Sequence, residues 1–450
     1  MSRPRSPFSR RALPALVLAG LSAALPVQAQ NLVELYDAAR AYDATYQSAR
    51  SQYEATLAKA EQAKALMLPT VALSAAANQL NQDAQAPKAV NYSYSAQSAT
   101  LSASQPLYRP ANAASYEQGK RQVDLAQAQL DQADQDLIVR VSQAYFDVLA
   151  SADSLAFVQS QKAAVAEQLA SAKRNFEVGT STITDSREAQ ARYDLVIAQE
   201  LAADNDLRVK SIALDQLVGL QNAKPRALAA PVTLAPIQPA DVDQWVQDSQ
   251  ASHPGIRQLQ VALDVAKLET SKAEAGHKPT LDLVGSYAMS ASQNALSSTT
   301  GLPIDSRANV ATIGLSFNLP LFAGYAIQNR VRETMALEDK ARTDLEANRR
   351  TVAQGTRTAF YGVQSGMGQV KALEAAEASS QSALDANKLG YQVGVRINID
   401  VLNSQSQLFD TKAKLAKARY DVLVGGLKLR QAAGTLKAED LQSVNGQLAK

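Results

Sequence analysis

Apolar residues recur every seven positions through a long proline-free window of the chain. Proline is absent from residues 111–224 and from residues 321–450, so each window can hold uninterrupted helix. Between residues 112 and 176, two apolar rows offset by four occupy the a and d positions of a coiled coil. The rows are Val123, Leu130, Leu137, Ala144, Val158 and Val165, and Val141, Val148, Leu155, Leu169 and Phe176. The pattern predicts a rod about 100 Å long that packs along its whole length.

The predicted seam is partly polar. Asp134, Ser151 and Lys162 interrupt the rows, which indicates that one side of the rod faces polar neighbours or water. The second proline-free window predicts a rod of similar length and carries a weaker trace of the same repeat. That trace is Val363, Val370, Leu384 and Tyr391. Because no compact domain contains rods of this size, we expect an elongated molecule.

Two other segments alternate apolar residues with polar or small ones. A period of two is typical of strands with one apolar face. The alternating residues are Val71, Leu73, Ala75 and Ala77; Tyr92, Tyr94 and Ala96, shifting phase to Ala99, Leu101 and Ala103; Leu281, Leu283, Gly285, Tyr287 and Met289; and Ala311, Ile313, Leu315, Phe317 and Leu319. Polar loops at residues 81–91 and 297–307 join each pair into a hairpin. Runs of about 8–12 residues suit a tilted membrane crossing, while soluble antiparallel sheets remain the alternative.

Rods and hairpins occur twice at a nearly constant offset. Pro279 follows Pro69 by 279 − 69 = 210 residues, and Asp400 follows Asp185 by 400 − 185 = 215 residues. QPLY at Pro106 matches LPLF at Pro320, and AYFDVLAS at residues 144–151 matches AFYGVQSG at residues 359–366. Such self-similarity predicts a duplicated unit of helix, β-hairpin, long helix and shorter helix.

The predicted boundaries follow from this duplication. The first repeat covers residues 30–223, with a helix at 31–67, a β-hairpin at 69–106, a long helix at 111–178 and a shorter helix at 182–219. A proline-rich linker at 224–243 leads to the second repeat at 244–434, with helices within 244–276, a β-hairpin at 279–320, a long helix at 324–391 and a shorter helix at 396–432. Residues 435–450 form a C-terminal segment.

The N-terminus resembles a secretory signal peptide over residues 1–29. Arg3, Arg5, Arg10 and Arg11 precede an apolar run that is too short to favour a transmembrane helix, and small residues end at Ala29. An uncleaved anchor and a twin-arginine signal at residues 10–11 remain alternatives.

Without the four leader arginines the net charge falls from +2 to about −2, a balance that does not favour a nucleic-acid partner. With no cysteine, the chain has neither disulfides nor a lipid-anchored N-terminal Cys.

The predicted strands cannot form a closed structure in one chain. Four membrane strands leave open edges whose unpaired backbone groups are costly in lipid, so other copies must complete a barrel. Three copies would give about twelve strands and an aqueous channel, whereas two would give a narrow barrel filled by side chains.

No motif of the chain predicts an enzyme, a metal site or a cofactor. His253 and His277 are the only histidines, and no cysteine pair, phosphate-binding loop or nucleophile motif accompanies them. A non-conducting structural or adhesive coiled-coil protein of the cell surface is the alternative to a channel.

An ordered series of motifs resembles the TolC family of outer-membrane efflux and secretion ducts of Gram-negative bacteria. The series is NLVELYDAA from residue 31, AYFDVL from 144, FEVGTSTITD from 176, AGHKPTLDL from 275, IGLSFNLPLFAG from 313, YQVGVRINIDVL from 391 and GTLKAEDL from 434. The resemblance implies a mainly helical homotrimer with a 12-stranded outer-membrane β-barrel that a 12-helix α-barrel continues across the periplasm. The linker, Trp245 and the C-terminal segment would form an equatorial belt.

The family's partners and cargo follow from the same resemblance. It implies a passive exit duct that works with a periplasmic adaptor protein and an inner-membrane pump, either ABC or proton-driven, in contact with outer-membrane lipid. The cargo would be drugs, proteins of type I secretion, or both. Glycines at two breaks in the helical pattern predict two helix-to-helix turns. The resemblance implies that these turns contact the adaptor. These adaptor-contact tips are Val178, Gly179 and Thr180, and Val393, Gly394 and Val395.

The helix after the second turn carries a candidate constriction. Asp400 and Asn403 are three residues apart on one helix face, and a three-fold axis would turn Asp400 into a carboxylate ring that favours cations. An ordinary solvated helix start is the alternative, since Asp is common there.

The resemblance implies a gate at this periplasmic end. Tyr391 and Arg396 would lie opposite Thr184 and Asp185, with an Arg396–Asp185 ion pair that separates on opening. Many relatives carry a second acid where this chain has Asn403, so we expect weaker block by cations.

Overall fold

The computed structural model describes residues 30–84, 90–229, 231–232, 234–296 and 303–449. The predicted signal peptide at residues 1–29 lies outside the described residues, as do residues 85–89 and 297–302 of the two hairpin loops.

Most of the described chain is helical. The helices are α1 Leu32–Tyr42, α2 Ala44–Ala65, α3 Pro110–Glu177, α4 Ile183–Val218, α5 Val242–Ser252, α6 Pro254–Glu274, α7 Ala326–Gln392, α8 Asn398–Ala432 and α9 Asp440–Asn445, with a 3-10 turn at Ala275–His277. The strands are β1 Thr70–Ala84, β2 Val90–Tyr108, β3 Thr280–Leu296 and β4 Pro303–Asn318.

Helix α3 runs the length of the helical part of the molecule, with two helices in succession along one side. Its 68 residues span about 100 Å. Helix α2 lies antiparallel along its first half, where the Asn112 side chain donates to the carbonyl of Leu66 at 2.6 Å. Helix α4 lies along its second half, where Lys162 Nζ donates to Glu200 at 2.6 Å. Both shorter helices therefore flank the same rod.

The second repeat continues the wall on the other side of α3. Helix α6 contacts its first half, and α8 its second half. Helix α7, of 67 residues, lies beyond both, with Arg330 paired to Glu269 of α6 at 2.7 Å and Asn387 donating to Ser404 of α8 at 2.5 Å. The result is a wall four helices wide whose outer helices are α2 and α4 on one side and α7 on the other.

The polar interruptions of the α3 seam meet polar partners. Asp134 accepts from the Tyr36 hydroxyl at 2.8 Å, Ser151 donates to Asp206 at 2.7 Å, and Lys162 pairs with α4 as described above. Residues Leu137, Val141, Val148, Val165 and Leu169 of the predicted rows are buried. Phe176 departs from the prediction, since it is 43% exposed beside the turn that ends α3.

The helix predicted at 31–67 is two helices. Asp43 ends α1 and caps α2 by accepting the N–H of Tyr46 at 2.8 Å. Both its oxygens also accept from Arg140 of α3 at 2.9 Å, and these bonds hold the pKa of Asp43 below its ordinary value despite partial burial. The junction between α1 and α2 is thus bound to α3 through Arg140. Because this contact is tertiary, no local sequence pattern predicts it.

The four strands form one antiparallel sheet in the order β1-β2-β3-β4. They contain 15 to 19 residues and are longer than the predicted runs, because pairing continues into the segments expected to be loops. The β1–β2 pairing is continuous through the phase change of β2, without a bulge. Leu101 therefore lies on the same face as Leu73, while Tyr94 pairs with Leu80 on the opposite face.

The sheet has one apolar and one small polar face. Leu73, Leu101, Tyr287 and Ala311 are directly paired neighbours across the four strands, and Ala72, Ser102, Ser286 and Thr312 form the adjacent row on the other face. On the apolar face, Ile313 is 82% exposed in the single chain. The outer edges of β1 and β4 have no strand partner among the described residues.

A bidentate ion pair joins the sheet to the wall. Arg109, just before α3, donates from Nε and Nη2 to the two carboxylate oxygens of Asp282 in β3, at 2.7 and 2.5 Å. The β2–β3 pairing shifts register beside it, between Pro106 and Tyr108. First and second repeats are therefore fastened together where the strands meet the helices.

The proline-rich segment is more than an extended linker. It pairs with both ends of the described chain, Pro225 with Gln30 and Leu228 with Leu448. The Trp245 indole donates to the carbonyl of Pro239 at 2.8 Å, and α5 already begins within the segment. Together with α9 of the C-terminal segment, these residues cover the middle of the wall.

Candidate functional site

Two turns lie at the ends of the long helices, far from the sheet. The first tip, residues 178–182, joins α3 to α4, and the second tip, residues 393–397, joins α7 to α8. Gly179 has φ +76° and Gly394 has φ +79°, a left-handed conformation that favours glycine. The N–H of Thr180 donates to Asn175 and that of Val395 to Gly390, both at 2.8 Å. The two backbone turns are thus nearly equivalent.

The first tip is closed by its own side chains. Thr182 caps α4, accepting the N–H of Asp185 at 3.3 Å, while its own N–H donates to the Asp185 carboxylate at 3.0 Å. Ser181 donates to the same carboxylate at 2.8 Å, and the Thr184 hydroxyl lies 2.6 Å from that of Thr182. Partial burial opposes ionisation of Asp185, but the bonds from Ser181 and Thr182 hold its pKa below the ordinary value.

The second tip lacks such a cap. Ile397 precedes α8. Its hydrocarbon side chain cannot accept hydrogen bonds from the free N–H groups in the first turn of α8. Asn398, the first residue of α8, is only 1% exposed. Its Oδ1 accepts from the Gln168 amide of α3, and its Nδ2 donates to the carbonyl of Asp185 at 3.5 Å. The start of α8 is therefore held by the first repeat.

The predicted ion pair between Arg396 and Asp185 is not formed within the chain. The Asp185 carboxylate is already engaged in the cap of α4. Arg396 Nη1 instead lies 3.6 Å from Asp400 Oδ2, one turn later on its own side of the tip. Its stem packs over Gly390, where an added Cβ would stand 2.7 Å from Arg396 Cγ. Within the chain, the cap of α4 engages the carboxylate that the resemblance assigns to Arg396, and a pair between copies stays a prediction.

Two further contacts cross between the hairpins. The Tyr391 hydroxyl accepts from Asn175 Nδ2 at 3.3 Å, and the Asn403 side-chain oxygen accepts from Arg192 Nη2 at 2.7 Å. With the Asn398 contact they form what we call the cross-hairpin contacts, Tyr391–Asn175, Asn398–Gln168 and Asn403–Arg192. Asp400 takes part in none of them, and its carboxylate is about one-third exposed.

The sequence predicted one residue in each of two of these contacts and neither residue of the third, Asn398–Gln168. Tyr391 and Asn403 were candidates, whereas Asn175, Gln168, Arg192 and Asn398 were not. One signal was available, because the two repeats differ at these positions. At the offset of 215, Asn398 matches Ile183 and Arg192 matches Gln407.

The predicted adaptor-contact residues are all exposed. Val178, Val393 and Val395 expose 65% to 78% of their surface, and Gly179, Thr180 and Gly394 lie beside them. Exposed valines at the end of a rod are a candidate contact surface, since they leave apolar area in water.

The described residues contain no arrangement suited to a metal. No group of three or more His, Cys, Asp or Glu side chains among them could hold an ion. His253 caps α6 by accepting the N–H of Gly255 at 3.1 Å, and burial lowers its pKa. None of the helices in the described ranges is both long and apolar enough to cross a membrane.

Comparison with known proteins gives a consistent result. The family model "Outer membrane efflux protein" matches residues 35–220 and 245–435, one stretch in each repeat. Outer membrane protein TolC of Vibrio cholerae is 32% identical over 440 residues, covering 98% of this chain and 99% of that protein. Alkaline protease secretion protein AprF of Pseudomonas aeruginosa is 30% identical, covering 78% and 72%. The Campylobacter jejuni CmeC outer membrane channel has a TM-score of 0.76 at 15% identity, covering 99% of this chain and 98% of that one, a likeness of fold.

Proposed function

The chain belongs to the outer membrane efflux protein family, and on that premise we propose that three copies form one exit duct across the outer membrane and periplasm. The predicted outer-membrane location and export role are confirmed by the relatives. As a duct, the protein conducts passively what an inner-membrane pump and a periplasmic adaptor deliver. A relative named for protease secretion supports type I secretion as one cargo route beside drug efflux.

One observation carries the proposal: a sheet with an exposed apolar face and two open edges at one end of long rods. Lipid covers the apolar face, while the small polar face lines water. The free edges of β1 and β4 must pair, because unpaired backbone groups in lipid cost several kcal/mol each. Pairing β4 of one copy with β1 of the next gives twelve strands in three copies.

The outer helices of the wall support the same assembly. On α4, Leu201 is 68% exposed, and Val209 and Ile212 are also exposed. On α7, Met335 and Tyr361 are exposed in the single chain. Docking the α2–α4 edge of one copy against α7 of the next buries these side chains and gives a tube of twelve helices.

The tips form the gate of this duct. The cross-hairpin contacts tie the second hairpin, α7 and α8, to the first repeat, so opening requires them to separate. Around a three-fold axis Asp400 supplies three carboxylates, which attract cations. Asn403 adds no charge, and Arg192 at 2.7 Å from it places a cation nearby, so cation block is weaker than with two carboxylate rings. The valines at the tips contact the adaptor protein.

Single-channel recording of the purified protein in planar bilayers tests the duct. We expect trimeric pores that divalent cations block, and Asp400→Ala should relieve that block while leaving pore number unchanged. Asp410→Ala is a matched control, since Asp410 lies later on α8 and pairs with Lys414 at 2.7 Å. Purified trimers without conductance would contradict the duct and favour a structural or adhesive protein.

A further inference from the structure

The sheet contains a single basic residue. Among the residues that the structure assigns to the four strands, Arg307 of β4 is the only Lys or Arg. It is exposed, and within the described part of the chain it has no ion-pair partner. Asp305, two residues earlier on the same face, accepts the N–H of Asn294 at 3.1 Å instead. A lone cation on a membrane sheet needs a location that tolerates it.

Arg307 lies on the apolar face. It pairs with Ala291, which pairs with Gln97, and this row lies on the same side as Met289 and Leu101. An arginine at the midplane of the bilayer costs about 2–4 kcal/mol, but near the interface the cost falls to about 0–1 kcal/mol. The depth of Arg307 in the bilayer therefore determines how costly its charge is.

The strand places Arg307 at the outer boundary of the membrane. Phe317 lies near the end of β4 at the helices, ten residues from Arg307. At about 3.3 Å per residue and a tilt of about 40°, Arg307 stands roughly 25 Å higher, which matches the height of the apolar band of such barrels. The side chain is then level with the headgroups of the outer leaflet.

A shallow depression of about 640 Å³ lies beside it on the same face. Its floor is made of small side chains, and polar or flexible ones surround them. The floor is Ala75, Ala77, Ala99 and Ala291, and the rim is Gln97, Met289, Arg307 and Asn309. Alanines leave room for a lipid chain, while the guanidinium and two amides offer donors to an anion.

We propose that Arg307, with Gln97 and Asn309, binds the phosphate of an anionic lipid in the outer leaflet, whose chain covers the alanine floor. A guanidinium binds phosphate through two parallel N–H···O bonds, and the low dielectric beside the bilayer strengthens them. The inference rests on the proposed barrel, because the sheet must face lipid. Lipid binding at this surface is a property separate from conduction through the duct.

Native mass spectrometry of trimers in neutral detergent tests the site, with lipid A and phosphate-free lipid A as probes. We expect the wild type to prefer lipid A, Arg307→Gln to bind it about tenfold more weakly, and Arg307→Lys to fall between. Arg350→Gln is the matched control, because Arg350 is exposed on α7 about 36 Å along the helix from its start. This control should bind lipid A as the wild type does.

Three results would overturn the proposal. The first is equal lipid A binding by wild type and Arg307→Gln, and the second is inorganic phosphate binding as tightly as lipid A. The third is that Arg307→Gln trimers are less stable whether or not lipid is present. That result would indicate that Arg307 pairs with an acid of the next copy, such as Asp83 on β1. Bilayer conductance is recorded on the same samples, so failure of the duct is separated from failure of the lipid site.

Discussion

The two tips have nearly the same backbone and different means of support. Both turn at a glycine with φ near +76° to +79°, after helices of 68 and 67 residues. Thr182 and Asp185 close the first tip from within. At the second tip Ile397 offers no cap, and Asn398 is held by the first repeat. A duplicated hairpin has therefore become one self-supporting element and one that depends on its neighbour, and in the proposed gate we expect the dependent element to move.

The strongest test of this difference is Asn398→Leu. The change removes a buried amide and leaves the Gln168 amide and the Asp185 carbonyl without their partner, at a cost of about 2–3 kcal/mol to the arrangement in which the first repeat holds α8. We expect higher resting conductance and faster amide exchange in the first turn of α8. The first tip should exchange as before, because its cap does not involve Asn398.

Ile397→Ala is the matched control for that variant. Ile397 is the adjacent residue, is 60% exposed and makes no cap bond. If this variant opened the duct as much as Asn398→Leu, the amide contacts would not be what holds α8.

The first tip should respond locally and less strongly. Thr182→Ala removes the cap of α4, a change that typically costs about 1 kcal/mol. Amide exchange should speed up in the first turn of α4, with little change in conductance, because Asn398 keeps its bond from Gln168 of α3 even where its longer bond to Asp185 weakens. Thr343→Ala, an exposed threonine inside α7, serves as the control and should leave exchange in α4 unchanged. A wide-open duct from Thr182→Ala would show that the first tip is not independent.

The sequence predicted the turns better than the contacts between them. Glycines within proline-free windows located both tips, and the spacing of Thr182 and Asp185 is that of a local capping box, readable from four residues. The partner of Asn398 could not be read in this way. It depends on which helix lies beside α8 and at what register, and residues such as Gln168 and Arg192 come from the other repeat. The same limit explains Asp43, whose helix break is fixed by Arg140 nearly a hundred positions later.

Acid should weaken the first tip more than the second. Because the pKa of Asp185 is held below its ordinary value, its bonds stabilise the fold at pH above the unfolded pKa of about 4 and are lost as pH falls through the lowered folded pKa. Amide exchange in the first turn of α4 should therefore rise in that acid window, and Asp185→Asn should flatten the rise. Equal pH dependence of both tips in the wild type would contradict this assignment.

The smallest effect is expected from Arg396→Ser. Arg396 and Asp400 form an exposed pair at 3.6 Å, four residues apart, and such pairs contribute about 0.3–0.5 kcal/mol at most. We expect a slight change in conductance that disappears at high salt, because screening removes most of an exposed interaction.

Arg192→Ser is the informative comparison, since Arg192 reaches Asn403 across the hairpins at 2.7 Å. Its loss should raise conductance more than the loss of Arg396. The reverse order would mean that Arg396 pairs with another copy in the proposed trimer, and that closure depends on contacts between subunits rather than on those that hold α8 within one chain.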